Sequence, residues 1–243
     1  MEILRIISPN NEPIPVDYAI YPSLLDGYLR YKRNDDDETF DSLFDKINKV
    51  KSDQTEFQQK GSEFEGLIND AIDGKPLKIA ADPLYYATDH FQFKIEIVEE
   101  LKHKLMHATQ KQKYMEVVIH THLGNVKLYG IVDYDFPNMV VDLKGTENYK
   151  CNKYEKSTQH PIYSLIRHLN GRPIEAFKYR ASNYDKVFQE TYIPTENMFT
   201  KLMLTVFEFI NFINHFKPNI TDEKIFGGKT GSIKAAIEVP EVR

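Results

Sequence analysis

The sequence predicts an α/β domain, a small mixed β-sheet flanked by helices, on three observations. Tyr114 to Leu123, Val126 to Val132 and Met139 to Leu143 are apolar, partly β-branched runs bounded by turn formers, as strands are. Ahead of them, Tyr21 to Lys32, Phe40 to Val50 and Thr55 to Ile72 repeat their apolar residues at helical spacing. Behind them, Met198 to Phe216 does the same over a longer span, with Thr195 as its expected cap. Apolar positions nearly encircle part of that last helix, which is therefore expected to be deeply buried or packed on another subunit. A chain of 243 residues suffices for one substantial core and is too short for two large ones.

Taken in order, Ile3 to Ile7 reads as a short strand and Ser23 as the N-cap of the first helix. Asn34 to Glu38 reads as a solvated acidic loop, because it lacks the spaced glycine of a calcium loop. Leu77 to Tyr86 carries a strand and a turn at Asp82-Pro83, and Asp89 to Thr109 has helical character. The three central strands form an antiparallel meander, turning at Gly124-Asn125 and at Phe136-Pro137-Asn138 and ending at Lys144. Asn152 to Leu169 follows as a helix; Pro161 is tolerated if the helix starts nearer Ser157-Thr158. Ile174 to Arg180 and Val187 to Ile193 read as a final strand pair. The domain plan is one unit over 1–221, with a helical part at about 17–110, sheet and helix at about 114–193, a helix at about 195–216, and a tail over 222–243 read as loose or as an oligomer contact.

Composition excludes several functions. The single cysteine, Cys151, rules out an internal disulfide and a cysteine-built zinc site. No run approaches the roughly 18 to 20 apolar residues that span a bilayer, and no basic segment precedes a long apolar one at the N-terminus, so a cytoplasmic protein with no membrane partner is expected. A net charge of −5 argues against a surface that coats nucleic acid throughout. Yet eight Lys and Arg face three Glu between Lys144 and Arg180, while twelve Asp and Glu face four Lys between Asp35 and Asp73. The basic segment is either a phosphate guide or a solvated face. A second basic patch runs from Lys102 through His107 to Lys113. His120 and His122 share a strand face without a third ligand at a recognised spacing and read as structural. Phe226-Gly227-Gly228-Lys229-Thr230 superficially suggests a phosphate loop, but Glu223 stands where its first glycine belongs.

Chemistry concentrates in Leu128 to Tyr149. Strand alternation puts Asp142 and Lys144 on one face and Leu143 on the other, and the hairpin brings Asp133 back towards Asp142. Two carboxylates and an amine on rigid strands suit a hard divalent cation such as Mg²⁺. The lysine is placed to orient or deprotonate an attacking water, or to neutralise charge growing on a phosphate.

These residues carry a resemblance. Gly130-x-x-Asp133, Asp142-Leu143-Lys144 and Gln159-x-x-x-Tyr163, in that order, resemble the PD-(D/E)XK nuclease superfamily, in particular its RecB-like branch, which includes phage exonucleases. Gly61-Ser62-Glu63-Phe64-Glu65 resembles that branch's first motif, and Tyr21 to Leu29 is similar to the helix that opens many of its domains, placed near bound DNA. The likeness covers roughly residues 20 to 165 and implies a restriction-endonuclease-like core. It further implies Mg²⁺ or Mn²⁺ held by Asp133, Asp142, the Leu143 carbonyl and Glu65, with Glu63 as rival to Glu65. Lys144 would position the water, and Gln159 and Tyr163 would contact DNA. The implied function is a metal-dependent deoxyribonuclease, an end-processing exonuclease of recombination, repair or phage DNA metabolism, working with DNA and with a homo-oligomeric or recombination partner. The alternatives are a structure-specific or restriction-like endonuclease, and a catalytically silent DNA-binding or assembly subunit. An ordinary cross-strand charge pair is the bland reading of the acids and the lysine.

Overall fold

A computed structural model describes residues 4–6, 15–35, 38–227 and 236–238. In chain order the elements are β1 (Leu4–Ile6), β2 (Tyr18–Ile20), α1 (Pro22–Lys32), α2 (Phe40–Ile47), α3 (Glu56–Ile72), β3 (Tyr85–Ala87), β4 (Gln92–Lys94), α4 (Ile95–Leu105), β5 (Gln110–Thr121), β6 (Gly124–Asp135), β7 (Met139–Gly145), α5 (Gln159–Leu169), β8 (Ala176–Ser182), β9 (Val187–Tyr192), α6 (Glu196–His215) and β10 (Ala236–Glu238). The architecture is mixed α/β, one eight-stranded sheet flanked by six helices, plus the two-stranded β3–β4 ribbon. Strands β5, β6 and β7 form the expected antiparallel meander. Helix α5 then crosses over to β8, which lies parallel to β7, and β9 returns antiparallel along β8.

The helices start where local chemistry starts them. Thr39 and Thr55 each close a capping box, with Ser42 and Gln58 as the reciprocal partners, and Thr195 caps α6. Helix α1 departs from expectation: Tyr21 is its N-cap without a side-chain bond, and Pro22, whose ring fixes a helical φ, opens it instead of Ser23. Pro161 does fall in the first turn of α5, where its missing N–H costs nothing. The helix expected from Asp89 starts only at Ile95, because 92–94 pairs with 85–87 as a ribbon.

Each sheet face has its own core. On one face α1, α2, α5 and α6 bury Leu25, Leu43, Ile162, Val206 and Phe209 against Val126, Leu128, Val140 and Phe177. On the other, α3 and α4 bury Phe64, Ile68, Val98 and Leu101 against Tyr134, Val141 and Leu143. The alternation of Val140 and Val141 between the two cores fixes the register of β7, since a one-residue slip would exchange every side chain's face. Deep burial of Phe199, Leu202, Met203, Val206, Phe209, Ile210 and Ile213 accounts for the apolar breadth of α6.

Two expectations are corrected by burial. Glu38, expected in solvent, is 5% exposed and accepts hydrogen bonds from Arg30, Lys46 and Ser42. The segment after 221 is not wholly a loose tail: Ile225 is buried in the larger core, and β10 pairs with β5 and β1. Gly228, Lys229 and Thr230 lie outside the described residues. No helix among the described residues is long and apolar enough to cross a membrane.

Candidate active site at a fork in the sheet

The edge of β6 that faces away from β5 is shared by two strands. Its first part pairs with β2, from Val126 to Leu128, and its end pairs with β7 only at Tyr134–Val141 and Asp135–Val140. Between these contacts the sheet forks. The hairpin register would place Asp133 opposite Asp142 at the next rung, where the ladder stops; two like charges facing each other across strands repel. The Asp133 carboxylate takes over from the missing backbone partner, its Oδ2 accepting the Leu143 N–H at 2.7 Å. A strand residue's N–H and C=O point to the same edge, so the Leu143 carbonyl also faces the fork.

Helix α5 closes the fork from one face. Tyr163 donates its hydroxyl to the Ile131 carbonyl at 2.8 Å, a β6 acceptor freed by the fork. This contact explains Gly130, where a Cβ would collide with the Tyr163 hydroxyl. Gln159, one turn earlier, donates Nε2 to Asp142 Oδ1 at 3.1 Å. The start of α5 is held from outside: Thr158 makes no cap bond of its own, and Asp26 of α1 accepts from the Thr158 N–H at 2.6 Å and the Ser157 hydroxyl at 3.1 Å. Burial pushes the Asp26 carboxyl up despite these bonds.

The charges are out of balance. Lys144 Nζ lies 2.7 Å from Asp142 Oδ2 in ion-pair contact, yet that buried oxygen has no partner in hydrogen-bonding geometry. Desolvation first, then Asp142 and Glu65, raise Asp133 well above the usual carboxylate range. Glu65 is raised by desolvation and by Asp142. Desolvation raises Asp142 too, against the opposing pull of Lys144 and Gln159. Burial would lower Lys144, but Asp142 and Asp133 outweigh it and keep the amine protonated. Three acids thus share one lysine.

Glu65 and Glu63 are separated by the turn of α3. Glu65 accepts from the Gln112 amide, which also lies 3.5 Å from Asp133 Oδ1. Glu63 points to the 88–91 turn; burial would raise it, but hydrogen bonds from Thr88, His90 and Gln59 hold its carboxyl down to about 2. Glu63 is thereby engaged as a loop anchor, away from the fork. Gly61 meets no neighbour at its Cβ position. His120 bonds Asn125, and His122 stacks edge-on to Phe207. The patch from Lys102 to Lys113 is largely neutralised, with Lys102, Lys104, Lys111 and Lys113 paired to Glu99, Glu100, Asp73 and Asp135.

Beside Lys144 a cleft of 360 Å³ is lined by Arg30, Arg33, Lys153, Lys156 and Gln159. Among the described residues neither Lys153 nor Lys156 has a carboxylate in ion-pair range. Lys153 instead donates to Thr146 and to the Asn148 carbonyl, and the strap bearing it is pinned by Glu190, which accepts from the N–H groups of Lys153 and Tyr154 and the Tyr149 hydroxyl. Gln112 and Glu190 carry no motif, and sequence reasoning missed their roles and that of Asp26 as an anchor for the start of α5.

Among the described residues no three His, Cys, Asp or Glu side chains converge as a ready-made metal cage. The oxygens at the fork nevertheless fit a hard cation that takes one or two carboxylates and fills its remaining positions with water and phosphate oxygens. The excess of acid over base is the feature such an ion would satisfy.

No protein-family model matches the chain, and no curated protein matches it in sequence. Among solved structures, the chain is similar to one titled "Putative exonuclease" from Eubacterium rectale, at 15% identity and a TM-score of 0.48, covering 85% of this chain and 84% of that one. It is also similar to SSO0001, at 11% identity and a TM-score of 0.43, covering 80% and 78%. Both likenesses are remote.

Proposed function

We propose that this chain is a metal-dependent deoxyribonuclease of the PD-(D/E)XK type, with its active site at the fork and an end-processing exonuclease action as the first reading. The observation that carries the proposal is the gathering of Asp133, Asp142 and Lys144 where β6 and β7 part, with the acids there outnumbering the one lysine.

Asp133, Asp142 and the Leu143 carbonyl would hold Mg²⁺ or Mn²⁺, with Glu65 joining through a water or directly. The bound ion would polarise the scissile phosphate and lower the pKa of the attacking water. Lys144, held protonated, orients that water and offsets negative charge growing on the phosphoryl oxygens. Gln159 fixes the orientation of Asp142, and Tyr163 braces β6 at Ile131. The water oxygen bonds to phosphorus and gives up a proton to solvent, while the ester bond to the leaving oxygen breaks and that oxygen takes a proton from solvent to depart as a hydroxyl. The cleft at Lys153 and Lys156 lies where a phosphate backbone leaving Lys144 would run.

The test is cleavage of end-labelled linear duplex, single-stranded and closed circular DNA in Mg²⁺, Mn²⁺ or EDTA, comparing the native chain with Asp142→Ala and Lys144→Ala. Metal-dependent loss of linear DNA alone, abolished by both substitutions, is expected. Cutting of circles would move the enzyme to the endonuclease reading. Absence of cleavage with every metal would leave the silent DNA-binding subunit.

A further inference from the structure

Gln112 is the one residue inside a strand, among the described residues, whose backbone is left-handed without being glycine: its φ is 47°. The other non-glycine residues with positive φ, Asn34, Lys49, Asn152 and Tyr184, all lie in turns or bends. A side chain in that region strains against its own backbone, and such strain persists where the surroundings hold it in place. Opposite Gln112 stands Asp133. The β5–β6 ladder pairs Lys111 with Tyr134 and Lys113 with Val132, and omits the rung between them. Asp133 is therefore unpaired on both edges of its strand, by the fork on one side and by the turned backbone of Gln112 on the other.

The side chains complete the picture. Lys111 and Lys113 reach away to Asp73 and Asp135, while the neutral residue between them meets the acids. Its amide donates to Glu65 and lies 3.5 Å from Asp133 Oδ1. A lysine here would cancel the negative charge; an amide fixes the carboxylates and leaves that charge for a cation. We propose that Gln112 is a positioning residue, whose strained backbone and bridging amide hold the Glu65 and Asp133 carboxylates in place for a divalent cation. This inference rests on the reading of the fork as a metal-dependent site.

The experiment is Mn²⁺ titration by calorimetry of the full chain, native and with Gln112→Ala or Gln112→Gly, alongside thermal melting of each in EDTA. Gln112→Gly relieves the strain and removes the amide, so it should melt above Gln112→Ala. Both should bind Mn²⁺ about tenfold or more weakly than the native chain, the usual cost of losing an outer-shell partner. A merely structural Gln112 would move the melting temperature and leave Mn²⁺ affinity alone. Native affinity retained in both variants would overturn the role of Gln112 and leave the metal site standing. No Mn²⁺ uptake by the native chain would overturn the metal reading, and this role with it.

Discussion

Asp133 and Asp135 sit two residues apart on β6 and lead opposite lives. Asp135 is fully buried and saturated: Arg167 Nη1 and Lys113 Nζ meet its two oxygens, and Arg167 passes its remaining donors to the Pro137 and Arg172 carbonyls. Two cations answer one acid there. At Asp133 three acids share one lysine, which is spent on Asp142 at 2.7 Å. A saturated buried pair fixes structure; an unsaturated one is held in place for something else. The strand thus carries one acid locked into the structure and, two residues away, one left short of cations, and the difference lies in what faces each of them.

That contrast can be broken from either side. The largest effect should come from Arg167→Ala, which strands Asp135 in the core and should lower unfolding free energy by about 3 to 5 kcal/mol in urea titration. Cleavage per folded molecule should be preserved. Next comes a pH effect. His160, in the first turn of α5, stacks on Tyr192 at 4.1 Å, and its burial lowers its pKa to about 4. Between about pH 6.5 and 4 the unfolded chain takes a proton that the folded chain refuses, so stability falls as pH drops through that window, by up to about 3 kcal/mol. The acids at the fork pull the other way, because their raised carboxyls bind protons first in the folded state. His160→Asn should flatten the acid arm of a stability-versus-pH curve.

Smaller substitutions sharpen the assignment. Gly130→Ala should displace Tyr163 from Ile131 and cost about 1 to 3 kcal/mol, read by thermal melting. Glu65→Gln should weaken metal-dependent cleavage by about 10- to 100-fold with little change in melting. Glu63→Gln should do the reverse, loosening the 88–91 turn by about 1 kcal/mol with cleavage unchanged.

Much of the frame was legible because it is local. Alternation located the meander and apolar spacing the helices. The spacing of Asp142 and Lys144 put them on one face, and the structure gathers Glu65, Gln159 and Tyr163 around them. What stayed hidden depends on contacts distant in sequence. Nothing in Tyr18–Ile20 announces that it shares an edge of β6 with β7 and so creates the fork. Asp26 serves a helix about 130 residues away. The burial of Glu38 needs Arg30 and Lys46 to arrive from two different helices. Gln112 is hidden for another reason: a strained φ leaves no mark on residue type unless glycine or asparagine takes it.

The most direct measurement is Asp133→Asn, assayed for Mg²⁺-dependent cleavage of linear DNA and for melting temperature in EDTA at neutral pH. The amide can still accept from Leu143 but removes one of three mutually repelling charges. Cleavage should fall at least about 100-fold while the melting temperature holds or rises. Unchanged cleavage, or a loss of cleavage that merely tracks a fall in stability, would contradict the claim that the fork is a site of chemistry.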